Sequence, residues 1–259
     1  YRLCEVRGIG FKTADVIAKS VGFDPCGEER IDAALLHVLK EAETGGNLFK
    51  NAGNLCIPKA MLVKKCMELL ETPRVKEQLV RLRCQELLNR KEIAVYQDQV
   101  YRYATAKAEE QVAMRVGERI RQGSIHLRTD LDAEIVRMER MLGVTLASEQ
   151  RMAVKTCLHS PISIITGGPG TGKTMIQRFI LELYKKANPA GSIVCCAPTG
   201  RAARRMEQAT GHPASTIHKA LGLFADTDGE YGDPAILDAD LVIADEVSML
   251  DIHLAKHLL

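Results

Sequence analysis

Tryptophan is absent and aromatic residues make up only 4% of the 259-residue chain. Stacking of bases on aromatic rings therefore cannot be its main grip on a nucleic acid. No apolar run reaches the roughly 18 residues that a bilayer-spanning helix needs, which excludes such a span. The eight cysteines contain no C-x-x-C pair, so a zinc site is not expected. Cys195-Cys196 lie in an apolar run and read as small core residues, in keeping with a reducing, cytoplasmic setting. The chain starts Tyr1-Arg2-Leu3-Cys4-Glu5, with neither an initiator Met nor a signal peptide, and is expected to be an internal piece of something longer. Repeats and low-complexity tracts are also missing. What remains is a globular balance, 46% hydrophobic and 26% charged, in a length that suits about two domains.

The formal net charge of +2 conceals a polarised distribution. Residues 151–225 carry ten Lys/Arg against two acids, and residues 226–259 carry nine acids against one Lys. Solvated surface explains this as well as function does. The functional alternative is a phosphate-facing basic region followed by an acidic segment that holds cations.

Helical spacing dominates the first 140 residues. Ile31, Leu35, Val38 and Leu39 predict a helix over 29–43 that Gly45-Gly46 ends. Pro58 suits the start of a helix through Leu70, and Thr72-Pro73 breaks it before another over 74–89. Ile93, Val95, Val100, Tyr101 and Tyr103 around Gln97-Asp98-Gln99 predict two short strands, with helices over 104–122 and 130–141 beyond them. Three regions are expected: a helical 1–72, a winged-helix-like 73–143 and an α/β domain over 144–259. In the last, the apolar runs 161–166, 192–197 and 240–244 each precede a turn and a helix-like stretch, which predicts a buried parallel sheet with helical crossovers.

Gly167-Gly168-Pro169-Gly170-Thr171-Gly172-Lys173-Thr174 matches G-x-x-x-x-G-K-[ST], between an expected strand and an expected helix. Its glycines let backbone N–H groups close around phosphates, and the helix N-terminus adds its dipole. Lys173 is the residue to reach the β- and γ-phosphates and Thr174 to ligate Mg²⁺. Together these residues predict a nucleoside triphosphate site. Leu241-Val242-Ile243-Ala244 runs into Asp245-Glu246, and a parallel strand delivers its carboxyl end to the ligand crevice. Asp245 is the candidate second metal ligand and Glu246 the candidate base for an attacking water; capping of a following helix explains Asp245 about as well.

Leu146-Ala147-Ser148-Glu149-Gln150 precedes this segment, and Ala197-Pro198-Thr199-Gly200-Arg201-Ala202-Ala203 and Thr216-Ile217-His218 follow the phosphate loop. With these residues the chain resembles the RecD-like helicases of superfamily 1, the exodeoxyribonuclease V alpha-subunit family. The resemblance implies an adenine contact for Gln150 and single-stranded DNA contacts for Pro198, Thr199, Gly200 and Arg201. It matches Thr216 and His218 to a T-I-H segment, and Asp245, Glu246, Ser248 and Met249 to D-E-x-S-M. For Arg201 a plain surface role, and for His218 a core or capping role, stay open. The hydroxyl, free N–H and guanidinium of Thr199, Gly200 and Arg201 are independently suited to phosphate.

Near the N-terminus, Gly8-Ile9-Gly10-Phe11-Lys12 resembles the hairpin of a helix-hairpin-helix DNA-binding element, with Gly8, Gly10 and Lys12 as the phosphate contacts. The form of the family with an extended N-terminal region carries such a segment; a tight turn between helices is the plainer reading. The resemblance as a whole implies an ATP- and Mg²⁺-dependent helicase or translocase in recombination and repair. It would move 5′ to 3′ on single-stranded DNA, act at DNA junctions, and use a RecA-like motor domain of which only the first is expected here. Partner nuclease subunits stay open. An AAA+-type loader or remodelling ATPase is the alternative, with a DNA-binding scaffold bearing a vestigial nucleotide site as a third reading.

Overall fold

A computed structural model describes residues 1, 9–125, 127, 129–223 and 235–259. The chain forms two compact units, Tyr1–Glu110 and Gln111–Leu259.

In the first unit, α1 (Phe11–Ser20) and α2 (Glu28–Thr44) lead to β1 (Cys56–Pro58), α3 (Lys59–Leu70) and α4 (Glu77–Asn89). The hairpin strands β2 (Ile93–Tyr96) and β3 (Gln99–Arg102) follow, and α5 (Tyr103–Arg121) runs out of the unit. The spacing that predicted α2 is borne out: Ile31, Leu35, Val38 and Leu39 are all buried, and Gly45 leaves the helix at φ +77°, where any side chain would be strained. Gln97 and Asp98 both take positive φ, the conformation a two-residue hairpin turn demands. The three strands form an antiparallel sheet in the order β1-β3-β2. β1 was not foreseen, because its three residues are too few to show an alternation. One apolar core runs from Phe11 through Leu35, Leu62 and Leu87 to Val100.

Charge holds this unit together as well. Arg30 is 1% exposed and donates to both Asp15 oxygens at 2.6 and 2.9 Å, to the Pro25 and Leu70 carbonyls, and to the Thr72 hydroxyl. All its N–H groups thus find acceptors, which a buried guanidinium requires. The Tyr1 hydroxyl donates to Asp15 as well, at 2.6 Å. Burial pushes the Asp15 carboxyl up, but the hydrogen bonds from Arg30, Tyr1 and Lys19 outweigh it and hold the carboxyl below the usual carboxylate range.

In the second unit, α6 (Leu131–Leu142) is capped by the Asp130 carboxylate, which accepts from the Asp132 and Ala133 N–H groups, and is ended by Gly143 at φ +64°. Next come α7 (Ser148–His159), α8 (Lys173–Ala187), β4 (Ile193–Ala197), α9 (Gly200–Thr210), β5 (Ala214–Thr216), α10 (Ile217–Ala220), β6 (Leu241–Ala244) and α11 (Ile252–Leu258). The sheet is parallel, in the order β5-β4-β6, with Cys195 and Cys196 of β4 buried at its centre. A parallel sheet with helical crossovers is the architecture the alternating pattern predicted. One expected strand is not found. Residues 161–166 form no ladder: of their three isoleucines only Ile165 packs against the core, while Ile164 is 79% exposed. Composition gave that run a strand's look, but its side chains are not buried as a central strand's would be.

Candidate nucleotide and nucleic-acid site

The sheet's register sets out the site. Ala197 lies opposite Thr216 and Cys196 opposite Ala244, so β4, β5 and β6 end at one edge. There the chain continues into Pro198-Thr199-Gly200, Ile217-His218 and Asp245-Glu246 respectively. The Asp245 N–H donates to the Cys196 carbonyl at 2.9 Å and prolongs the ladder by one residue. Glu246 then turns into the left-handed region at φ +53° with its side chain exposed. A non-glycine residue held there costs of order 1–3 kcal/mol and persists only where its surroundings impose it, which is a common mark of a functional position.

The phosphate loop leads directly into α8, whose first residue is Lys173. Gly170 and Gly172 take φ of +76° and +82°. A Cβ on Gly167 would lie 2.6 Å from the Thr171 hydroxyl, and one on Gly172 would lie 2.6 Å from Gln150 Nε2. At Gly172 the positive φ would strain any side chain, and a Cβ would displace the Gln150 amide. Lys173 Nζ donates to the Gly167 and Gly168 carbonyls at 2.5 and 3.0 Å, so the ammonium sits within the curve of its own loop. Thr171 Oγ1 donates to the Gly168 carbonyl at 2.9 Å. Pro169 and Thr174 are exposed on the same loop and first turn.

Gln150 is brought to this loop. Its Nε2 donates to the Thr171 carbonyl at 2.9 Å, while its Oε1 accepts from the Ala147 N–H at 2.9 Å, the reach-back half of a capping box. Two residues that sequence reasoning missed support it. Glu139 of α6, 7% exposed, accepts from the Leu146 N–H at 2.7 Å and from Arg151 Nη2 at 2.6 Å. The carboxylate thereby fixes both sides of the turn that enters α7. A signal was available: Glu139 falls on the apolar stripe of α6, beside Met138 and in line with Leu131 and Ile135.

On the β4 side, the Thr199 hydroxyl accepts from the Ala202 N–H at 3.2 Å and caps α9; the Thr216 hydroxyl caps α10 in the same way through Lys219. Pro198 is half-buried and Gly200 exposed. Arg201, Arg204 and Arg205 are exposed along α9 and form no ion pair among the described residues. His218 is half-buried. In the first unit, Gly10 precedes α1 with open space where a Cβ would stand, and Lys12 is exposed beside it. Gly8 lies outside the described residues. No cluster of metal-ligating side chains occurs among the described residues, and no helix there is long and apolar enough to cross a membrane.

A parallel sheet with helical crossovers, entered through a G-x-x-x-x-G-K-T loop and ending in Asp-Glu, defines a P-loop α/β unit of the RecA type. Comparison with known proteins agrees with this class and narrows it. Residues 150–259 match the model of a family described as an AAA domain, and residues 1–49 match one described as the ATP-dependent RecD2 DNA helicase HHH domain. The ATP-dependent RecD2 DNA helicase of Deinococcus radiodurans is 27% identical over 266 residues, covering 96% of this chain and 35% of the relative. RecBCD enzyme subunit RecD of Haemophilus influenzae is 36% identical over 133 residues, 42% of this chain and 21% of the relative. The ATP-dependent DNA helicase dda of phage T4 is 37% identical over 101 residues, 37% of this chain and 23% of the relative. The chain is thus similar to RecD-type helicases, and at its N-terminus to the RecD2 form, and it spans about a third or less of these relatives.

Proposed function

We propose that this chain is the N-terminal part of an ATP-dependent DNA helicase or translocase of recombination and repair, moving 5′ to 3′ on single-stranded DNA. Residues 1–110, which share one core, serve DNA binding, and 144–259 is the first motor domain. The observation that carries the reading is the shared edge of the parallel sheet, where the Asp245-Glu246 and Thr199-Gly200-Arg201 segments emerge from adjacent strands. One edge thus bears both a candidate hydrolytic carboxylate pair and a cation, without an ion-pair partner among the described residues, able to hold DNA phosphate.

The loop fits a triphosphate. Its glycine cradle is one that a Cβ at Gly167 or Gly172 would fill, and Lys173 already donates to two carbonyl oxygens where phosphate oxygens would compete for it. The residues that bind ATP are Gly168, Pro169, Gly170, Thr171, Gly172, Lys173 and Thr174, with Gln150 at the adenine edge. Thr174 and Asp245 are hydroxyl and carboxylate donors suited to Mg²⁺, which supplies charge neutralisation at the β- and γ-phosphates. Lys173 stabilises charge on the transferring phosphoryl group, and Glu246 orients the attacking water and accepts its proton. Pro198, Thr199, Gly200, Arg201 and His218 contact single-stranded DNA, and Gly10 with Lys12 contacts the backbone of a junction or duplex, with Gly8 assigned by sequence alone. Such a protein works in the cytoplasm.

The test is DNA-stimulated phosphate release by the full-length protein, wild type beside Glu246→Gln. Loss of hydrolysis with ATP binding retained supports the reading. Hydrolysis that is indifferent to both DNA and Glu246 overturns it.

A further inference from the structure

The first unit has a topology that the phosphate-loop chemistry leaves unused. From α2 onward the order is helix, strand, two helices and a two-stranded hairpin, with β1 paired to β3 and β3 to β2 in one antiparallel sheet. That is the order of a winged helix: α3 and α4 form its helix-turn-helix, and the β2–β3 turn forms its wing. In helix-turn-helix proteins the second helix lies in the major groove, with its N-terminal residues toward the base edges. Here that helix is α4.

α4 is fixed on one face and open on the other. Val80, Cys84 and Leu87 are buried in the core, and Arg83 grips Asp32 of α2 through two bonds, at 2.9 and 2.6 Å, and Glu28 through a third at 2.6 Å. Arg90, which caps the C-terminal end of the helix, joins the same Asp32 carboxylate. The helix is thus tied to α2 at its middle and at its C-terminal end, which gives a reading element a fixed base. Its outer stripe, spaced at four, three and four residues, consists of Gln78, Leu82, Gln85 and Asn89, with Leu82 55% exposed. Gln and Asn are the side chains that pair with adenine edges, and an exposed aliphatic group suits a thymine methyl.

The charge on this element is of the right sign. Arg74 and Lys76 stand exposed in the turn that enters α4, and Lys91 directly follows it; none of them has an ion-pair partner among the described residues. Of the acids nearest in sequence, Glu77 is matched by Arg81 and Glu92 by Arg90, while Glu71 forms no ion pair among the described residues. At the wing, Tyr96 is 55% exposed and packs edge-on against Tyr101, while the Asp98 carbonyl accepts from the Lys59 N–H and ties the turn to the start of α3. The turn is thereby anchored to the helix-turn-helix.

We propose that residues 28–102 form a further nucleic-acid site, separate from the single-strand contacts and from Gly10 and Lys12 and specific for duplex DNA, in which α4 enters the major groove and Arg74, Lys76 and Lys91 contact phosphates on either side. This deepens the helicase reading and rests on it only for the class of substrate. A motor tracking one strand and a groove reader holding the paired region make separate demands on DNA, so the two sites separate experimentally.

The experiment measures binding of the 259-residue chain to a fluorescein-labelled 20-base-pair duplex and to a single strand of equal length, without nucleotide, across a salt series. Arg74→Ala/Lys76→Ala is expected to weaken duplex binding and to flatten the plot of log K against log salt by about 1.8, two contacts at ~0.9 each. Single-strand affinity stays as in the wild type. Arg74→Lys/Lys76→Arg is expected to restore the slope, which separates lost charge from lost fold, and Arg201→Ala should show the reverse selectivity. Equal losses on duplex and single strand, or an unchanged duplex slope, overturn the proposal. A wild type that binds the single strand and ignores the duplex overturns it while leaving the helicase reading intact; a wild type that binds neither overturns both.

Discussion

Gln150 Nε2 donates to the carbonyl of Thr171 at 2.9 Å, joining the first turn of α7 to the phosphate loop. The same amide closes on the Ala147 N–H through its oxygen, so both of its polar atoms are engaged. On the proposed adenine contact, base binding would have to compete with the Thr171 bond, so Gln150 would couple the loop to the base. Gln150→Ala is expected to raise the KM for ATP, and to raise it more than the KM for GTP. One or two hydrogen bonds at about 0.5–1.5 kcal/mol each give a change of severalfold to roughly a hundredfold. Equal losses for ATP and GTP would reduce Gln150 to a tether of the loop.

Glu139→Ala tests the support beneath that residue. It leaves the Leu146 N–H and the Arg151 guanidinium without their shared acceptor, at a cost of about 1–3 kcal/mol. Thermal unfolding should fall by roughly 2–4 °C for each kcal/mol lost in a unit of this size. Arg151→Ala should lose less, because the buried carboxylate keeps its bond to Leu146. An Arg151→Ala variant less stable than Glu139→Ala would contradict this order.

Lys173→Ala should abolish DNA-stimulated hydrolysis in the full-length protein and leave its fold intact. Among the described residues the ammonium holds only the Gly167 and Gly168 carbonyls of its own loop, so folding loses little. Loss of one preorganised charge at the transferring phosphoryl group costs at least ~3 kcal/mol, more than a hundredfold in rate. Turnover near the wild-type rate would remove the phosphate loop from the mechanism.

How much of this was legible in sequence depends on where the signal lies. The phosphate loop was legible because glycine, lysine and threonine are each demanded by local geometry, as the positive φ of Gly170 and Gly172 bears out. The amphipathic stripe of α2 and the turn at Gln97-Asp98 were legible for the same reason. Residues 161–166 misled because an apolar run reports composition, whereas a ladder depends on what lies beside it. Glu139 and Asp15 were overlooked because their partners, Arg151 and Arg30, stand 12 and 15 residues away, beyond any local pattern. The strain at Glu246 is a backbone angle, and no residue type announces it.

Arg201→Ala should weaken single-stranded DNA binding with little change in nucleotide affinity. Arg201 is exposed and forms no ion pair among the described residues, so its removal should cost the fold little. One phosphate contact on a single strand contributes about −0.7 to the slope of log K against log salt. A salt series by fluorescence anisotropy reads this directly. An unchanged slope and affinity would mark Arg201 as ordinary surface.

The Asp15–Arg30 pair should make the first unit sensitive to acid. The Asp15 carboxyl is held below the usual carboxylate range, its hydrogen bonds from Arg30, Tyr1 and Lys19 outweighing burial. A depressed folded-state value means that the unfolded chain takes up the proton first, so the pair's stabilisation is complete above the unfolded value of about 3.9. It then drains away as pH falls below that point toward the folded value. Asp15→Asn removes the charge but keeps the shape, and leaves Arg30 buried with an uncompensated charge, a defect that costs about 3–5 kcal/mol. Denaturant unfolding of wild type and Asp15→Asn at pH 7, 5 and 3 should show a gap that is steady between pH 7 and 5 and narrows at pH 3, where the unfolded wild-type chain has taken up the proton while the folded carboxylate still holds its charge. A gap of the same size at pH 3, or one under 1 kcal/mol at pH 7, would show that Arg30 draws its support from the Pro25, Leu70 and Thr72 oxygens instead.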